Sequence, residues 1–101
     1  MLKKETFVNA LLNIKKQSER VDKFSSAIEA MSDGFIVFDS DNLYLSSLIK
    51  VLREVMNDKD DFISWWLYED VEKVIWLDDG TRIELNTAED LYDYLLNYMQ
   101  L

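Results

Sequence analysis

With no proline and only two glycines, Gly34 and Gly80, this chain has very few residues that can end a helix or reverse sharply. Helical runs are therefore expected wherever the apolar spacing supports them. From Lys3 to Met31, Phe7, Leu11, Ile14, Val21, Phe24, Ile28 and Met31 recur at intervals of three, four or seven. That is one apolar stripe on a helix. Ser18 falls where an apolar residue is due, inside the polar run Lys15-Lys16-Gln17-Ser18-Glu19-Arg20. One helix of roughly 30 residues is long for a small domain, so a bend or break is predicted close to Ser18. The stripe is assigned to the domain's own core in preference to a coiled-coil seam.

Gly34, after Ser32-Asp33, is predicted to close this region in a left-handed cap. Phe35-Ile36-Val37-Phe38 then reads as a short strand or an extended buried connector. Asp39-Ser40-Asp41-Asn42 offers N-caps for a helix from Leu43 to Met56, with Leu45, Leu48, Ile49, Leu52, Val55 and Met56 as its apolar face. Asn57-Asp58-Lys59-Asp60-Asp61 closes that helix and starts the next, Asp61 to Asp70. The carboxylates of Asp60 and Asp61 suit a helix N-terminus. Phe62, Ile63, Trp66 and Leu67 share one side of this helix, and Trp65, Tyr68 and Glu69 lean to another. Neighbouring helical residues point about 100° apart, so Trp65 and Trp66 cannot both lie on one narrow stripe.

A hairpin follows, Lys73–Leu77 and Thr81–Leu85, around Asp78-Asp79-Gly80. A two-residue Asp79-Gly80 loop would place Val74, Trp76, Ile83 and Leu85 on one face. A three-residue loop with Gly80 as the bulge places Ile75, Leu77, Ile83 and Leu85 together and sets Trp76 beside Arg82. The second is favoured, because its core face is wholly aliphatic and Trp76 gains a cation–π neighbour. Thr87 is predicted to cap a last helix, Ala88 to Gln100, in a capping box where Asp90 replaces the usual Glu. Leu91, Leu95, Tyr98 and Met99 are expected inward; Glu89, Tyr92 and Asp93 are expected outward. The expected fold is α+β, with four or five helices and one two-stranded antiparallel β-hairpin near the C-terminus. Residues 1–101 are expected to form a single acidic domain. A chain of this length can bury roughly two-thirds of its unfolded surface, and 49% hydrophobic residues supply the material.

Charge is distributed very unevenly. Residues 1–56 hold eight Lys/Arg and eight Asp/Glu, whereas residues 57–101 hold three against twelve, so the whole net charge of -9 sits in the C-terminal part. All three tryptophans lie there too. Such a field repels nucleic acid and membranes and steers association towards basic partners. Direct nucleic-acid binding is not expected, since the basic residues Lys3, Lys4, Lys15, Lys16, Arg20 and Lys23 lie apart from the aromatics. The candidate partner-binding residues are Trp65, Tyr68, Glu69, Asp70, Glu72, Trp76, Asp78, Asp79, Glu89, Tyr92 and Asp93. Glu84 and Asp90 extend the same acidic set. Interleaved carboxylates and aromatic rings suit a basic groove on another protein, where Tyr and Trp act as anchors.

Catalytic chemistry finds little support. Histidine and cysteine are both absent, which removes the commonest base at neutral pH, thiolate zinc sites and disulfides. Asp39-Ser40-Asp41 opens like a calcium loop, but Tyr44 stands at the glycine position and Lys50 at the final glutamate position. The adjacent carboxylates Asp60/Asp61 and Asp78/Asp79 point apart, without an apolar pocket to tune them. No nucleotide-binding or nucleophile motif occurs. No enzyme activity, catalytic residue, metal or cofactor is expected. No apolar run approaches the roughly 20 residues of a membrane span, and Met1-Leu2-Lys3-Lys4-Glu5 opens an amphipathic pattern, not a signal peptide. A cytoplasmic protein with no membrane contact is expected.

The stretch Asp61-Phe62-Ile63-Ser64-Trp65-Trp66-Leu67-Tyr68-Glu69 resembles a family of small, largely uncharacterised phage and prophage proteins of Gram-positive bacteria. The family pattern is an acidic residue, an aromatic, Ile-Ser, two aromatics, and a further aromatic before Glu. Leu52-Arg53-Glu54-Val55-Met56-Asn57-Asp58 and the N-terminal amphipathic helices are similar too, so the likeness spans residues 5 to 69. Relatives continue with Leu-Asp-Phe-Gly where this chain has Asp70-Val71-Glu72-Lys73, which leaves the hairpin and last helix less securely covered. The resemblance implies a small phage-encoded protein in the cytoplasm of a host bacterium. Many such proteins inhibit host defence, and anti-CRISPR proteins are frequently acidic. The expectation is an inhibitor of a nucleic-acid-targeting defence system, acting as a nucleic-acid mimic on a host nuclease or CRISPR effector. The alternative is a phage structural or regulatory adaptor, a homodimer through the N-terminal stripe.

Overall fold

A computed structural model describes residues 3–17, 21–36 and 45–99. In chain order it contains α1 (Lys4–Lys16), α2 (Phe24–Ser32), α3 (Leu45–Met56), α4 (Asp60–Tyr68), β1 (Val74–Trp76), β2 (Arg82–Glu84) and α5 (Ala88–Tyr98). The fold is α+β, with β1 and β2 forming an antiparallel hairpin near the C-terminus. α3 packs on α2, α2 and α1 both pack on α4, and α1 packs on α5. That arrangement puts α4 at the centre of the helical layer.

The N-terminal stripe divides as predicted, α1 ending at Lys16 and α2 beginning at Phe24. Ser18 itself lies outside the described residues. Phe7, Leu11, Ile14, Phe24, Ile28 and Met31 are all buried in the chain's own core. A homodimer through this stripe would have to open that core. Gly34 (φ 81°) closes α2 in a Schellman motif: its N–H donates to Met31 O at 3.3 Å and Phe35 N–H to Ala30 O at 2.8 Å. Ile36 is buried while Phe35 is exposed. Val37, Phe38 and the N-cap candidates Asp39 to Asn42 lie outside the described residues. Asp58 (φ 63°) turns the chain from α3 into α4, a left-handed role that Asp tolerates.

α2 starts without a local cap: Lys23 occupies the N-cap position, and no side chain there accepts a hydrogen bond. Its first amides are met from α4. Ser64 Oγ accepts from Phe24 N–H and Asp60 Oδ1 from Ser25 N–H, both at 2.7 Å. Further along α4, Ile63, Trp66 and Leu67 are buried. The Trp66 indole N–H donates to Leu85 O at 2.8 Å, a buried bond that ties α4 to the junction between β2 and α5. The Lys15 ammonium lies 5.1 Å from the centroid of the Trp66 ring.

The hairpin takes the three-residue loop. Leu77 N–H donates to Thr81 O and Gly80 N–H to Leu77 O, each at 2.9 Å, with Gly80 at φ 87°. Ile75 pairs with Ile83 and Trp76 with Arg82, so the aliphatic face turns inward and Trp76 outward. α5 opens with the predicted capping box, Asp90 N–H to Thr87 Oγ1 at 3.1 Å and Thr87 N–H to Asp90 Oδ2 at 3.3 Å. Two orientations on α5 differ from expectation. Tyr92, expected outward, is only 6% exposed, with its ring 5.6 Å from that of Phe7. Tyr98, expected inward, is 55% exposed. At about 100° per residue, positions 92 and 98 lie about equally far from the mean direction of Ala88, Leu91 and Leu95, so periodicity does not separate them; the packing of α1, which brings Phe7 against the Tyr92 ring, does.

Trp66→Phe removes the indole donor and leaves the buried Leu85 carbonyl unpaired, beside space the smaller ring does not fill. We expect a loss of about 2–4 kcal/mol, read as a lower urea midpoint at unchanged slope. The double change Asp60→Ala, Ser64→Ala should cost about 1–3 kcal/mol and speed amide exchange at Phe24 and Ser25. Unchanged exchange at those two amides would show that α2 does not depend on these caps.

Candidate protein-interaction surface

The carboxylates proposed from the sequence reach solvent. Glu69, Asp70, Glu72, Asp78, Asp79, Glu89 and Asp93 are all exposed. The aromatics divide. Trp76, on the outer face of β1, is 67% exposed. Trp65 is half-buried, with the Lys73 ammonium 5.0 Å from its ring centroid. Tyr92 belongs to the core, as described above. Tyr68 is half-buried, and its hydroxyl is enclosed without a hydrogen-bond partner among the described residues. Burial pushes its pKa up to about 12, with Asp22 and Asp60 adding to the shift. The enclosed hydroxyl takes Tyr68 off an open acidic face.

Beside Trp76, the Arg82 guanidinium does not turn onto the indole ring. It forks between two acids, Nη2 to Glu72 Oε1 at 2.8 Å and Nη1 to Glu84 Oε1 at 3.0 Å. A planar fork flanked by carboxylates on both sides gains more from charge-assisted hydrogen bonds than from a ring face. The other cations of this half are also engaged internally. Lys73 Nζ donates to Trp65 O at 3.1 Å and also to Glu69 O, which caps the C-terminal carbonyls of α4. Burial lowers the Lys73 pKa and Lys15 lowers it further, against the opposing pull of Glu69 and Asp70. Lys59 reaches Asn57 O at 3.4 Å. Lys4 comes across from α1 to Asp93, at 3.0 Å. Glu69, Asp70, Asp78 and Glu89 make no ion pair with a described residue. At the hairpin tip the Thr81 hydroxyl and N–H, the latter at 2.9 Å, hold the Asp79 carboxyl below its usual range.

A second feature escaped the sequence reading. Four rings form a row across α4 and α5. Trp65 tilts against Phe62 at 5.7 Å between centroids, Phe62 stacks on Tyr94 at 5.3 Å, and Tyr94 on Tyr98 at 5.1 Å. Tyr94 and Tyr98 sit four apart on α5, the spacing at which helical side chains meet, and that interval was the available signal. Phe62, expected on the same side of α4 as Ile63, Trp66 and Leu67, is half-buried while those three are buried. Alongside the tyrosines, β2 and α5 enclose a cleft of about 230 Å³. Ile83, Glu84, Asp90, Asp93 and Asn97 complete its lining. A larger cleft of about 500 Å³ runs beside α2, between Val21 and Phe35, and its described lining includes Glu29 and Asp33 and no basic residue.

Among the described residues no group of three or more acidic side chains is arranged to hold a metal ion, and no helix is long and apolar enough to cross a membrane. Comparison with protein-family models, with curated proteins and with solved structures gave no match in any of the three.

Tyr68→Phe removes a hydroxyl that is buried without a partner, so we expect stability at neutral pH to be unchanged or higher by up to about 1 kcal/mol. In the wild type a folded-state pKa near 12 against an unfolded value of 10.0 means the unfolded chain loses its proton first as pH rises. Stability should therefore be intact below pH 10 and decline between about 10 and 12. Urea titrations across that range should show a shallower decline in the variant; identical alkaline limbs would overturn the assignment.

Proposed function

We propose that this protein works by protein–protein interaction and not by catalysis, docking its acidic C-terminal part on a basic, nucleic-acid-binding surface of a partner. The observation that carries the reading is charge segregation combined with cation engagement. The net charge of -9 resides in residues 57–101, and their cations Lys59, Lys73 and Arg82 each turn inward or into local pairs. The field of Glu69, Asp70, Asp78 and Glu89 is thereby left available to a partner. Trp76, exposed on the hairpin, supplies the aromatic anchor such an interface needs. Together with the likeness of Asp61–Glu69 to phage proteins, this favours an inhibitor that mimics nucleic acid and occupies the groove of a host defence nuclease, such as a CRISPR effector, in the bacterial cytoplasm.

The test is competition for nucleic acid. Purified RNA-guided nucleases are incubated with a labelled target duplex and increasing amounts of the protein. The wild type should displace the duplex from its cognate effector, less effectively as salt rises. A variant with Glu69, Asp70, Asp78 and Glu89 all changed to Lys should lose displacement by at least about 100-fold, since four reversals invert the local field. Trp76→Ala should weaken it by about 2 kcal/mol or more. Full displacement by the reversed variant would sink the reading.

A further inference from the structure

The cleft between β2 and α5 combines features found nowhere else among the described residues: stacked tyrosine rings on one wall and carboxylates on the others. Tyr94 and Tyr98 stack at 5.1 Å with 29° between their planes, and Tyr98 is the more exposed of the two. Glu84 enters from β2, and Asp90, Asp93 and Asn97 from α5. At about 230 Å³ the cleft falls short of the roughly 300–1,000 Å³ of small-molecule and cofactor sites. Its size suits one long side chain.

The electrostatics select the sign. Glu84 shares Arg82 with Glu72, Asp93 is paired with Lys4, and Asp90 accepts from the Thr87 amide. The three carboxylates of the cleft thus share two cations, one of which is also claimed by Glu72, so the cleft keeps a net negative charge. Both resident pairs are about half-exposed, with side-chain exposures of 46% and 52% for Lys4 and Asp93 and 42% and 51% for Arg82 and Glu84. Pairs of this kind hold weakly and exchange readily. An incoming cation can thus take a carboxylate that Lys4 or Arg82 now shares.

The geometry points to an arginine side chain of a basic protein partner as the occupant, and we propose this cleft as its binding site. A guanidinium presents a planar face to Tyr98 and forked N–H donors to Glu84 and Asp93 at once, whereas an ammonium offers a compact, strongly hydrated charge with no stacking plane. The proposal rests on the reading that the protein docks on a basic partner surface, and it names one contact of that interface.

Nuclear magnetic resonance titration with the acetylated, amidated tripeptide Gly-Arg-Gly tests it. The probe should shift the amides of Asp93, Tyr94, Asn97 and Tyr98, with Kd on the order of 1 mM. Citrulline in place of arginine keeps the shape without the charge and should leave these amides unmoved, and lysine should bind at least about threefold more weakly. Asp93→Asn with Glu84→Gln, and separately Tyr98→Ala, should each weaken the arginine peptide at least about fivefold, at an unchanged melting temperature. The assignment falls if no shift appears by about 10 mM, if citrulline or lysine matches arginine, or if the variants bind like the wild type. The four charge reversals of the competition assay lie outside this cleft. Displacement of duplex that survives cleft variants but not those reversals would therefore remove the cleft and keep the basic-partner reading, and loss of neither would remove both.

Discussion

The buried indole N–H of Trp66 needs a hydrogen-bond acceptor, and the one it finds is the carbonyl of Leu85. A donor sealed in a core without a partner costs about 1–3 kcal/mol, so this requirement fixes where the hairpin and α5 can sit relative to α4. Leu85, itself fully buried, lies between β2 and the Thr87 cap of α5. One bond therefore fixes the inward face of the hairpin, the start of α5 and the centre of α4 together. At the other end of α4, Asp60 and Ser64 meet the first amides of α2. A helix of nine residues thus links the N-terminal helices to the C-terminal unit through hydrogen bonds as well as packing.

This central role divides the aromatic residues of α4 between two tasks. Trp66 looks inward, and Trp65 and Phe62 fall towards the margin, where Phe62 continues into the Tyr94–Tyr98 stack. The surface of the C-terminal part is consequently not an even acidic coat. It has an exposed indole on the hairpin, free carboxylates at the end of α4 and the hairpin tip, and a tyrosine-walled cleft beside α5. Cations that could neutralise this face are drawn elsewhere: Lys73 to the C-terminus of α4 and Arg82 into a fork with Glu72 and Glu84. Structural capping and ion pairing thereby sharpen the charge asymmetry already present in the chain.

Ser64 shows how a side chain in the stretch expected to resemble phage proteins can have a purely structural duty. It stands in the Ile-Ser-aromatic-aromatic pattern, and its hydroxyl caps a helix 40 residues away along the chain. Part of that pattern therefore has a folding explanation that requires no partner. The features on which the proposed interaction rests, Trp76 and the cleft of Glu84, Asp93 and Tyr98, lie beyond that stretch.

Local rules were enough for much of this protein. The stop at Gly34, the capping box at Thr87 and Asp90, the three-residue loop ending at Gly80 and the interruption of the N-terminal stripe all depend on residues within a few positions of one another. Backbone preference and short-range hydrogen bonding decide such features, and both are written in the sequence. The net charge and its confinement to residues 57–101 were equally legible. Tertiary structure decided the rest, because it required knowing which elements meet. Tyr92 turned inward because α1 presents Phe7 to α5; the Tyr68 hydroxyl was enclosed by packing; Arg82 left Trp76 for carboxylates on either side. No periodicity within one element encodes the angle at which another packs on it, and that angle divides exposed rings from core.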